Sequence, residues 1–471
     1  MTPSIQFHEG TLRVTGLDRD ALTQLRSVIP IEWDTRDHCG RCDAMHLGPL
    51  QSWIRDHIHA DVVQELAADV TSLQIESKSR LKPRRDQLTA IDAFENAGRR
   101  GLIVMPTGTG KTVVALQLIA RANRSTLVVV PVRDLMYQWH AKILEAFGID
   151  AGLIGDGVHR VSPLSVTTYD SAAIHMPRIG HRFGMIVFDE VHHLAGPWRS
   201  DAARMSAAMI RLGLTATLPG DPDRAKVLQT LVGPVIHQQE IESAAGKTLA
   251  EYTVRRIAVR MDASEQSDYR SYGRAIQKFV RDAKDTDPSF SWEDTYKWVA
   301  SAREHPERAA AASTALKAFR AKRKIEEQTR RKFRVLEDLF RLHAGQPVLV
   351  FTGSNVMARQ VSLRFLVPCL LSHCAKRERQ DLLSGFAEGR YPVLVANRVL
   401  DEGVDLPAVK VAIVIGGMSS TRQATQRLGR VLRRSGDSTA TLYEVVTEDS
   451  NEVQRSRDRR RTSAYRSRRG H

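Results

Sequence analysis

Apolar residues recur along the chain in short runs that alternate with longer stretches of helical spacing. Between residues 71 and 245 the runs lie at 102–104, 126–130, 164–167, 185–188 and 211–214. From residue 346 onward they resume at 347–351, 392–396, 411–415 and 441–446. Short, almost wholly apolar runs are typical of strands that are buried on both faces. Strands that alternate with helices predict parallel sheets, so we expect an α/β fold with two similar lobes, 71–245 and 246–450.

Three other segments differ from this pattern. Residues 1–70 combine two alternating strands with one helical stretch, which predicts a small N-terminal α+β domain. Residues 265–335 are helical and become strongly basic, so we expect an insertion of exposed helices in the second lobe. The arginine-rich residues 451–471 predict a disordered tail, which is either a solvated end or an arm for nucleic acid.

The charge balance favours a polyanionic partner. The chain has 471 residues, with 69 Lys and Arg against 54 Asp and Glu, which gives a formal net charge of +15. An excess of this size makes nucleic acid the leading candidate partner. Neither a membrane-spanning run nor a signal peptide is evident, so we expect an intracellular, cytoplasmic and nucleoid-associated protein with no membrane partner.

The four cysteines are too few for a disulfide scaffold and fit a reducing compartment. Cys39 and Cys42 form a CxxC pair with His38 and His46 nearby, which raises the possibility of zinc. No second CxxC is present, however, and the four groups are crowded along the chain. We therefore favour two small buried thiols in a turn.

The strongest chemical signal follows the apolar run at 101–105. Pro106-Thr-Gly-Thr-Gly-Lys-Thr112 lies between a predicted strand and a predicted helix, which is the context that a phosphate-binding loop requires. The two glycines allow the backbone to fold around a phosphate, and the helix N-terminus favours negative charge. Lys111 would contact the β- and γ-phosphates, and the Thr112 hydroxyl would bind Mg²⁺. The cradle of the loop is predicted at Thr107, Gly108, Thr109 and Gly110.

Two further groups follow strands of the same sheet. Asp189 and Glu190 end the run at 185–188, where Asp189 would hold Mg²⁺ and Glu190 would deprotonate the attacking water. His192 follows them. Thr215 and Thr217 end the next strand, and we predict that His192, Thr215 and Thr217 couple this site to the facing lobe.

The second lobe contributes arginines and a glycine-containing loop. Arg430 and Arg433 lie in Gln426-Arg-Leu-Gly-Arg-Val-Leu-Arg433, broadly along one side of a helix. An arginine that reaches the γ-phosphate from another lobe stabilises transition-state charge, so we predict catalytic roles for Gln426, Arg430 and Arg433. In the loop at 397–407, Gly403 would approach a phosphate and Asp405 would contact ribose or its neighbours.

The order of these motifs resembles superfamily 2 helicases, and within them the XPB-like group, which also includes UvsW-like enzymes. The resemblance runs from about residue 81 to 446. It rests on the motifs above together with Gln87, 131–135, Gln138-Trp139, 167–169 and 350–352. The form Asp189-Glu-Val-His-His193 and the run at 231–236 are similar to the XPB-like group in particular. Asp34-Thr-Arg36 and 50–58 resemble that group's small N-terminal damage-recognition domain.

The resemblance implies two RecA-like lobes, ATP and Mg²⁺ as cofactors, and ATP-driven movement on DNA. It also implies that Gln87 reads adenine and that a strand-binding groove contains Pro131, Arg133, Thr168 and Thr352. An Arg-Glu-Asp motif is usual in the group just after the Thr215 motif, but this chain has Leu218-Pro-Gly-Asp-Pro-Asp-Arg224 there. In that group the motif is associated with duplex opening, so its replacement argues against strand separation by this chain.

Two alternatives remain open at this point. One is an RNA-dependent ATPase or helicase, because phosphate contacts do not distinguish the two nucleic acids. The other is an ATP-switched subunit of a repair, restriction or defence complex with a nuclease or other protein partner. No nuclease motif is evident in the chain.

Overall fold

The computed structural model describes residues 3–58, 63–64, 71–75, 82–239, 252–371, 373–397, 409–416 and 440–460. The chain divides near residue 244 into two compact units. The first contains the N-terminal domain and the first parallel sheet, and the second contains the other parallel sheet with its helical insertion. Among these residues no helix has both the length and the apolar character of a membrane span.

The N-terminal domain is a mostly antiparallel sheet with two helices on it. In order across the sheet, its strands are Glu32–Asp34, Cys39–Asp43, Thr11–Thr15, Ser4–His8 and Val63–Gln64. The helices are Arg19–Arg26 and Leu47–Ile58, with a 3₁₀ turn at Ala44–His46. The predicted turn at Cys39 and Cys42 is wrong, because both lie in a strand, although both thiols are buried as expected. No cluster of metal-binding side chains occurs among the residues described.

This domain packs against residues that precede two strands of the first parallel sheet. The Phe7 ring lies 4.7 Å from the His181 ring, and Ala207 is buried in the core of the domain. A Cβ added at Gly10 would lie 2.7 Å from Met205 Cγ, so glycine permits this close approach. The interface therefore lies at the amino-terminal edge of the parallel sheet.

The first parallel sheet is covered by helices on both faces. Its strands, in spatial order, are Val235–Gln238, Arg100–Val104, Ile210–Thr215, Met185–Asp189, Thr126–Val130, Leu164–Thr168, Gly152–Gly155 and Val158–Arg160, with only the last pair antiparallel within this sheet. The helices are Arg85–Asn96, Lys111–Ala122, Arg133–Phe147, Tyr169–Ile179, Asp201–Arg204 and Pro222–Leu231, and a 3₁₀ turn spans Val191–Ala195. Separate apolar cores lie on the two faces, which explains the uninterrupted apolar runs in the sequence.

The second unit has a parallel sheet of its own. The strands in spatial order are Tyr252–Val259, Ala440–Thr447, Val411–Ile415, Val348–Thr352, Val393–Ala396 and Cys369–Leu370. Helices Arg330–Leu342, Asn355–Phe365 and Lys376–Ala387 accompany it. The predicted α/β class with two RecA-like lobes is confirmed.

The insertion is built from helices Ala263–Thr286, Asp294–Ala300 and Pro306–Gln328. Aromatic rings pack between these helices, with Phe279 5.8 Å from Phe290 and Trp292 5.3 Å from Phe319. Lys332 belongs to the basic stretch that we expected on exposed helices, but it lies in the helix that follows the insertion and its side chain is fully buried.

The predicted disordered tail is wrong for its first part. Residues Asn451–Arg460 form a helix whose Glu452 and Ser456 are buried. Lys332 Nζ lies 2.7 Å from Glu452 Oε2, and Arg455 pairs with the buried Glu326. Ion pairs with buried partners fix this helix to the base of the insertion, which a count of arginines does not reveal. Residues 461–471 lie outside the described part of the chain.

Candidate active site

The glycine-rich loop connects strand Arg100–Val104 to helix Lys111–Ala122, as predicted. Gly108 and Gly110 adopt φ values of +87° and +85°, a left-handed conformation that favours glycine. A Cβ at Gly110 would lie 2.4 Å from Gln87 Nε2, so no larger residue fits there without a shift. Thr109 closes the turn by donating from both its amide and its hydroxyl to the carbonyl of Pro106.

The side chains around the loop suit a phosphate and a cation. Lys111 is nearly buried, and its ammonium donates to the carbonyl of Met105 over 3.2 Å. Thr107 Oγ1 is buried and has no hydrogen-bond partner among the described residues. Thr112 is the second residue of the helix. The loop therefore presents polar groups at a helix N-terminus, where the helix dipole favours an anion.

Gln87 is a buried part of this loop's support. Its side-chain oxygen accepts from the amide of Arg84 over 2.9 Å, and its amide nitrogen donates to the carbonyl of Thr109 over 3.0 Å. The Arg84 guanidinium donates to the same carbonyl. The sequence did not reveal this contact, because 22 residues separate Gln87 from Thr109. The adenine-reading role of Gln87 stays a prediction.

Asp189 ends its strand close to the level at which the glycine-rich loop leaves the sheet. It pairs with Leu214 in the register, while Thr215 pairs with Val104 on the next strand along. The indole N–H of Trp139 donates to Asp189 Oδ2 over 2.8 Å, and the amide of Glu190 donates to Oδ1 over 3.0 Å. Trp139 is fully buried, and the sequence did not reveal its polar contact with Asp189.

The residues predicted to couple the site form a connected chain. Glu190 has φ of +49°, unusual for a residue other than glycine, and its Oε2 lies 3.6 Å from His192 Nδ1. His192 Nδ1 also lies 3.2 Å from Thr215 Oγ1. The Thr215 hydroxyl donates its proton to the carbonyl of Thr217, so it accepts from a protonated Nδ1 of His192. The site thus links Glu190 to the end of the neighbouring strand.

The four predicted nucleic-acid contacts differ in exposure. Arg133 has an exposed side chain at the start of its helix. Pro131 and Thr168 are buried, and Thr168 caps helix Tyr169–Ile179 by accepting from the amide of Ser171. Thr352, in the second unit, is fully buried, and its hydroxyl donates to the carbonyls of Ser354 and Ala396. Arg133 is thus the exposed side chain among the four, and the contacts of all four residues with nucleic acid stay predictions.

Five predicted site residues lie outside the described part of the chain: Gly403, Asp405, Gln426, Arg430 and Arg433. Their roles stay predictions. The structure brings together Gln87, Lys111, Asp189, Glu190 and Thr215, all in the first unit.

One parallel sheet carries both a phosphate-binding loop and an Asp-Glu pair at its carboxyl edge, and a second parallel-sheet unit follows it in the sequence. This combination defines a helicase-type nucleotide hydrolase. Comparison with known families agrees. Residues 80–220 match the family described as "Type III restriction enzyme, res subunit", and residues 331–435 match "Helicase conserved C-terminal domain".

Similarity to individual proteins identifies the group. The chain is 35% identical over 385 residues to the DNA 3'-5' translocase XPB2 of Sulfurisphaera tokodaii, covering 81% of this chain and 85% of that protein. It is 29% identical to the DNA 3'-5' helicase XPB of Kineococcus radiotolerans, of which it spans 59%. The chain belongs to the XPB-like family of superfamily 2 helicases. The predictions of this family and of an ATP-dependent helicase or translocase are confirmed.

Solved structures show the same fold. The helicase domain of Pyrococcus furiosus Hef superposes with a TM-score of 0.57 at 15% identity, covering 80% of this chain and 98% of that one. Saccharomyces cerevisiae Dbp5 bound to RNA and ADP BeF3 gives a TM-score of 0.55 at 14% identity, covering 82% and 88%. At these identities the likeness concerns the fold alone.

Proposed function

We propose that this protein is a DNA-dependent ATPase that uses Mg²⁺ and ATP to move along DNA and remodel it. The observation that carries the proposal is the convergence of Lys111, Asp189 and Glu190 at one edge of the first sheet. Relatives of this chain are named as a DNA translocase and a DNA helicase.

The residues present fit a nucleotide with a divalent cation. The Lys111 ammonium and the loop amides would bind the phosphates, and the buried Thr107 hydroxyl, which has no partner among the described residues, would donate to a phosphate oxygen. The Thr112 hydroxyl and the Asp189 carboxylate are the hard oxygen ligands that Mg²⁺ prefers. When bound, Mg²⁺ neutralises charge on the phosphates. Trp139 and the Glu190 amide hold the Asp189 carboxylate in one orientation.

Glu190 would orient and deprotonate the attacking water, and His192 and Thr215 would couple that event to the neighbouring strand. In the same proposal Arg430 and Arg433 stabilise charge on the γ-phosphate, Gln426 assists them, and Gly403 and Asp405 contact the nucleotide from the second lobe. These roles rest on the family resemblance of their motifs.

Translocation is a better-supported activity than strand separation. The Arg-Glu-Asp motif is replaced by residues 218–224, where Asp221 caps helix Pro222–Leu231 by accepting from the amide of Asp223. Residues 221–224 therefore form the cap and first turn of this helix. We therefore expect weak or no duplex opening by this chain alone.

Charge on the second unit supports contact with a nucleic-acid backbone. A groove of about 1110 Å³ at the base of the insertion is lined by four cationic side chains, among them Arg270, Arg274 and Lys322, and by the two carboxylates of Glu448 and Asp449. Cations along a groove bind phosphates without regard to sequence. A nuclease or other protein partner and a nucleoid-associated cytoplasmic location complete the proposal.

The decisive experiment measures ATP hydrolysis alone and with single-stranded DNA, duplex DNA, forked DNA and RNA, with Glu190→Gln as the inactive control. We expect strong stimulation by duplex or forked DNA that the variant lacks. Stimulation by RNA alone would show that the protein is an RNA-dependent ATPase instead. Absence of stimulation by every nucleic acid would contradict a DNA motor and favour an ATP-switched subunit of a larger complex.

A further inference from the structure

The turn Gly155-Asp156-Gly157 places a carboxylate against a predicted nucleic-acid contact. Arg133 Nη1 donates to Asp156 Oδ1 over 2.6 Å, and the Tyr137 hydroxyl donates to Asp156 Oδ2 over 2.9 Å. Arg133 and Tyr137 are one helical turn apart, so both side chains lie on the same face of helix Arg133–Phe147. The two oxygens of one anion are therefore bound by two converging donors.

This contact lies at the carboxyl edge of the first sheet. Strands Thr126–Val130 and Leu164–Thr168 are adjacent and in register, so the residues after Val130 and Thr168 emerge side by side. A Cβ at Gly155 would lie 2.8 Å from Ser171 Oγ, and Ser171 in turn contacts the cap residue Thr168. The turn that contains Asp156 thus abuts the start of helix Tyr169–Ile179.

The chemistry of the contact is that of a phosphate site. A phosphodiester, like a carboxylate, offers two anionic oxygens to an arginine and a hydroxyl. The Arg133 side chain is 69% exposed and that of Asp156 is 30% exposed, so water and solutes reach the pair. An exposed ion pair contributes little net stability, and a competing anion can therefore replace its carboxylate.

We propose that Arg133 and Tyr137 form a binding site for a backbone phosphate of nucleic acid and that Asp156 is its internal occupant. The inference rests on the proposed function and deepens it. A strand that binds here displaces the Asp156 carboxylate from both donors. A lone phosphate gains little from this exchange, whereas a strand with several other contacts on the protein completes it.

The test is the affinity of the full chain for a labelled oligothymidylate, measured by fluorescence anisotropy without nucleotide. Asp156→Asn keeps the size of the side chain and removes its charge, so we expect binding to tighten about two- to fivefold, the range that an exposed ion pair supports. Asp150→Asn is the matched control. Asp150 precedes the same hairpin and is paired with Arg160 rather than Arg133, so its loss should leave the affinity within experimental error.

Two further variants make the assignment specific. Tyr137→Phe removes one donor and should weaken binding. In an Arg133→Gln/Tyr137→Phe background, Asp156→Asn should no longer tighten binding, because no site remains to be vacated. Weaker binding by Asp156→Asn, equal tightening by Asp150→Asn, tightening that persists in the double background, or unchanged binding by Tyr137→Phe would each overturn the inference.

The same titrations separate this inference from the proposed function. Failure of the wild-type protein to bind DNA would refute the proposed function and the phosphate site with it. Wild-type binding together with any of the four contrary results would refute only the role of the Asp156 contact. A parallel titration with oligouridylate shows whether the phosphate site serves DNA, RNA or both.

Discussion

The Lys111 side chain folds back towards the start of the glycine-rich loop. Its ammonium already contacts the carbonyl of Met105, so the cation is in position before a nucleotide arrives. Preorganised charge is worth more to catalysis than charge that must first be ordered.

We expect Lys111→Ala to abolish ATP turnover, because the β- and γ-phosphates lose their nearest cation. Steady-state hydrolysis with saturating DNA measures the effect. Lys142→Ala removes an exposed lysine of the same unit and should retain full activity. Turnover at the wild-type rate by Lys111→Ala would refute the assignment of the loop.

We expect Trp139→Phe to raise the Mg²⁺ concentration needed for half-maximal activity, by about 10- to 100-fold as for other partners of metal-binding groups. Phenylalanine remains apolar but cannot donate to Asp189 Oδ2. A magnesium titration at fixed ATP provides the measurement, with Trp198→Phe, an exposed tryptophan, as the control. An unchanged requirement would show that the Asp189 carboxylate is held without the indole.

Individual residues were predictable where neighbours in sequence act together. The loop at 106–112 and the pair Asp189-Glu190 each place their chemistry within a few residues, so the pattern revealed them. The Trp139–Asp189 bond joins residues 50 positions apart and depends on the packing of a helix against the sheet. The burial of the Thr352 hydroxyl at a strand end likewise depends on packing that the sequence does not show.

At the scale of elements, one buried arginine joins two helices to a strand. Arg211 is fully buried, and its guanidinium donates to the carbonyls of Ala203, Ser206, Ala208 and Leu231. Burial lowers its pKa to about 9. The carbonyls of Ala203 and Leu231 lie in the last turns of their helices, where backbone carbonyls carry partial negative charge that stabilises the buried guanidinium. Arg211 thus fixes the segment on which the N-terminal domain packs.

We expect Arg211→Lys to lower the free energy of unfolding of the first unit by about 2–3 kcal/mol, since lysine cannot reproduce the planar set of donors. Chemical denaturation followed by intrinsic fluorescence measures this change. Arg204→Lys, at an exposed position in the same region, is the control. Equal stability of the two variants would mean that the carbonyls find other donors.

The C-terminal helix supplies a second test at this scale. Lys332→Met leaves Glu452 buried without its cation and should cost about 3–5 kcal/mol of stability. Adding Glu452→Gln removes the stranded charge and should recover part of that loss. Thermal unfolding of the wild type and of the single and double variants gives the coupling. A double variant no more stable than Lys332→Met would contradict a direct charge interaction.

The central strands of both sheets were predictable because burial on two faces makes them continuously apolar. Three strands at the margins of the first sheet were not. Gly152–Gly155, Val158–Arg160 and Val235–Gln238 are short and mix glycine or polar residues with apolar ones. The helix Asn451–Arg460 was missed because its contacts are ionic and come from residues more than 100 positions earlier.

For the whole molecule, the net charge of +15 makes salt the main control on nucleic-acid affinity. If six phosphates are contacted, we expect affinity to fall about 10³-fold between roughly 50 and 200 mM salt. Anisotropy titrations across that range give the slope. An affinity that is nearly independent of salt would show that apolar or base contacts dominate binding, contrary to the proposed contacts with backbone phosphates.

The order of motifs was sufficient to predict the family and the two-lobe architecture, because several of the motifs follow strands that alternate with helices. The packing of the N-terminal domain on the first sheet could not be predicted in this way. It depends on Phe7, Gly10 and Met205, which are unremarkable in the sequence and meet only in the folded chain.

That packing has a mechanical consequence. The N-terminal domain contacts residues that precede the strands, whereas Lys111, Asp189 and Thr215 lie where strands end. A bead or surface tethered to this domain would pull on the ATP-binding sheet from the side away from the catalytic loops. Force would pass through packed side chains rather than a slack linker, so the domain is a suitable anchor for single-molecule measurements of stepping.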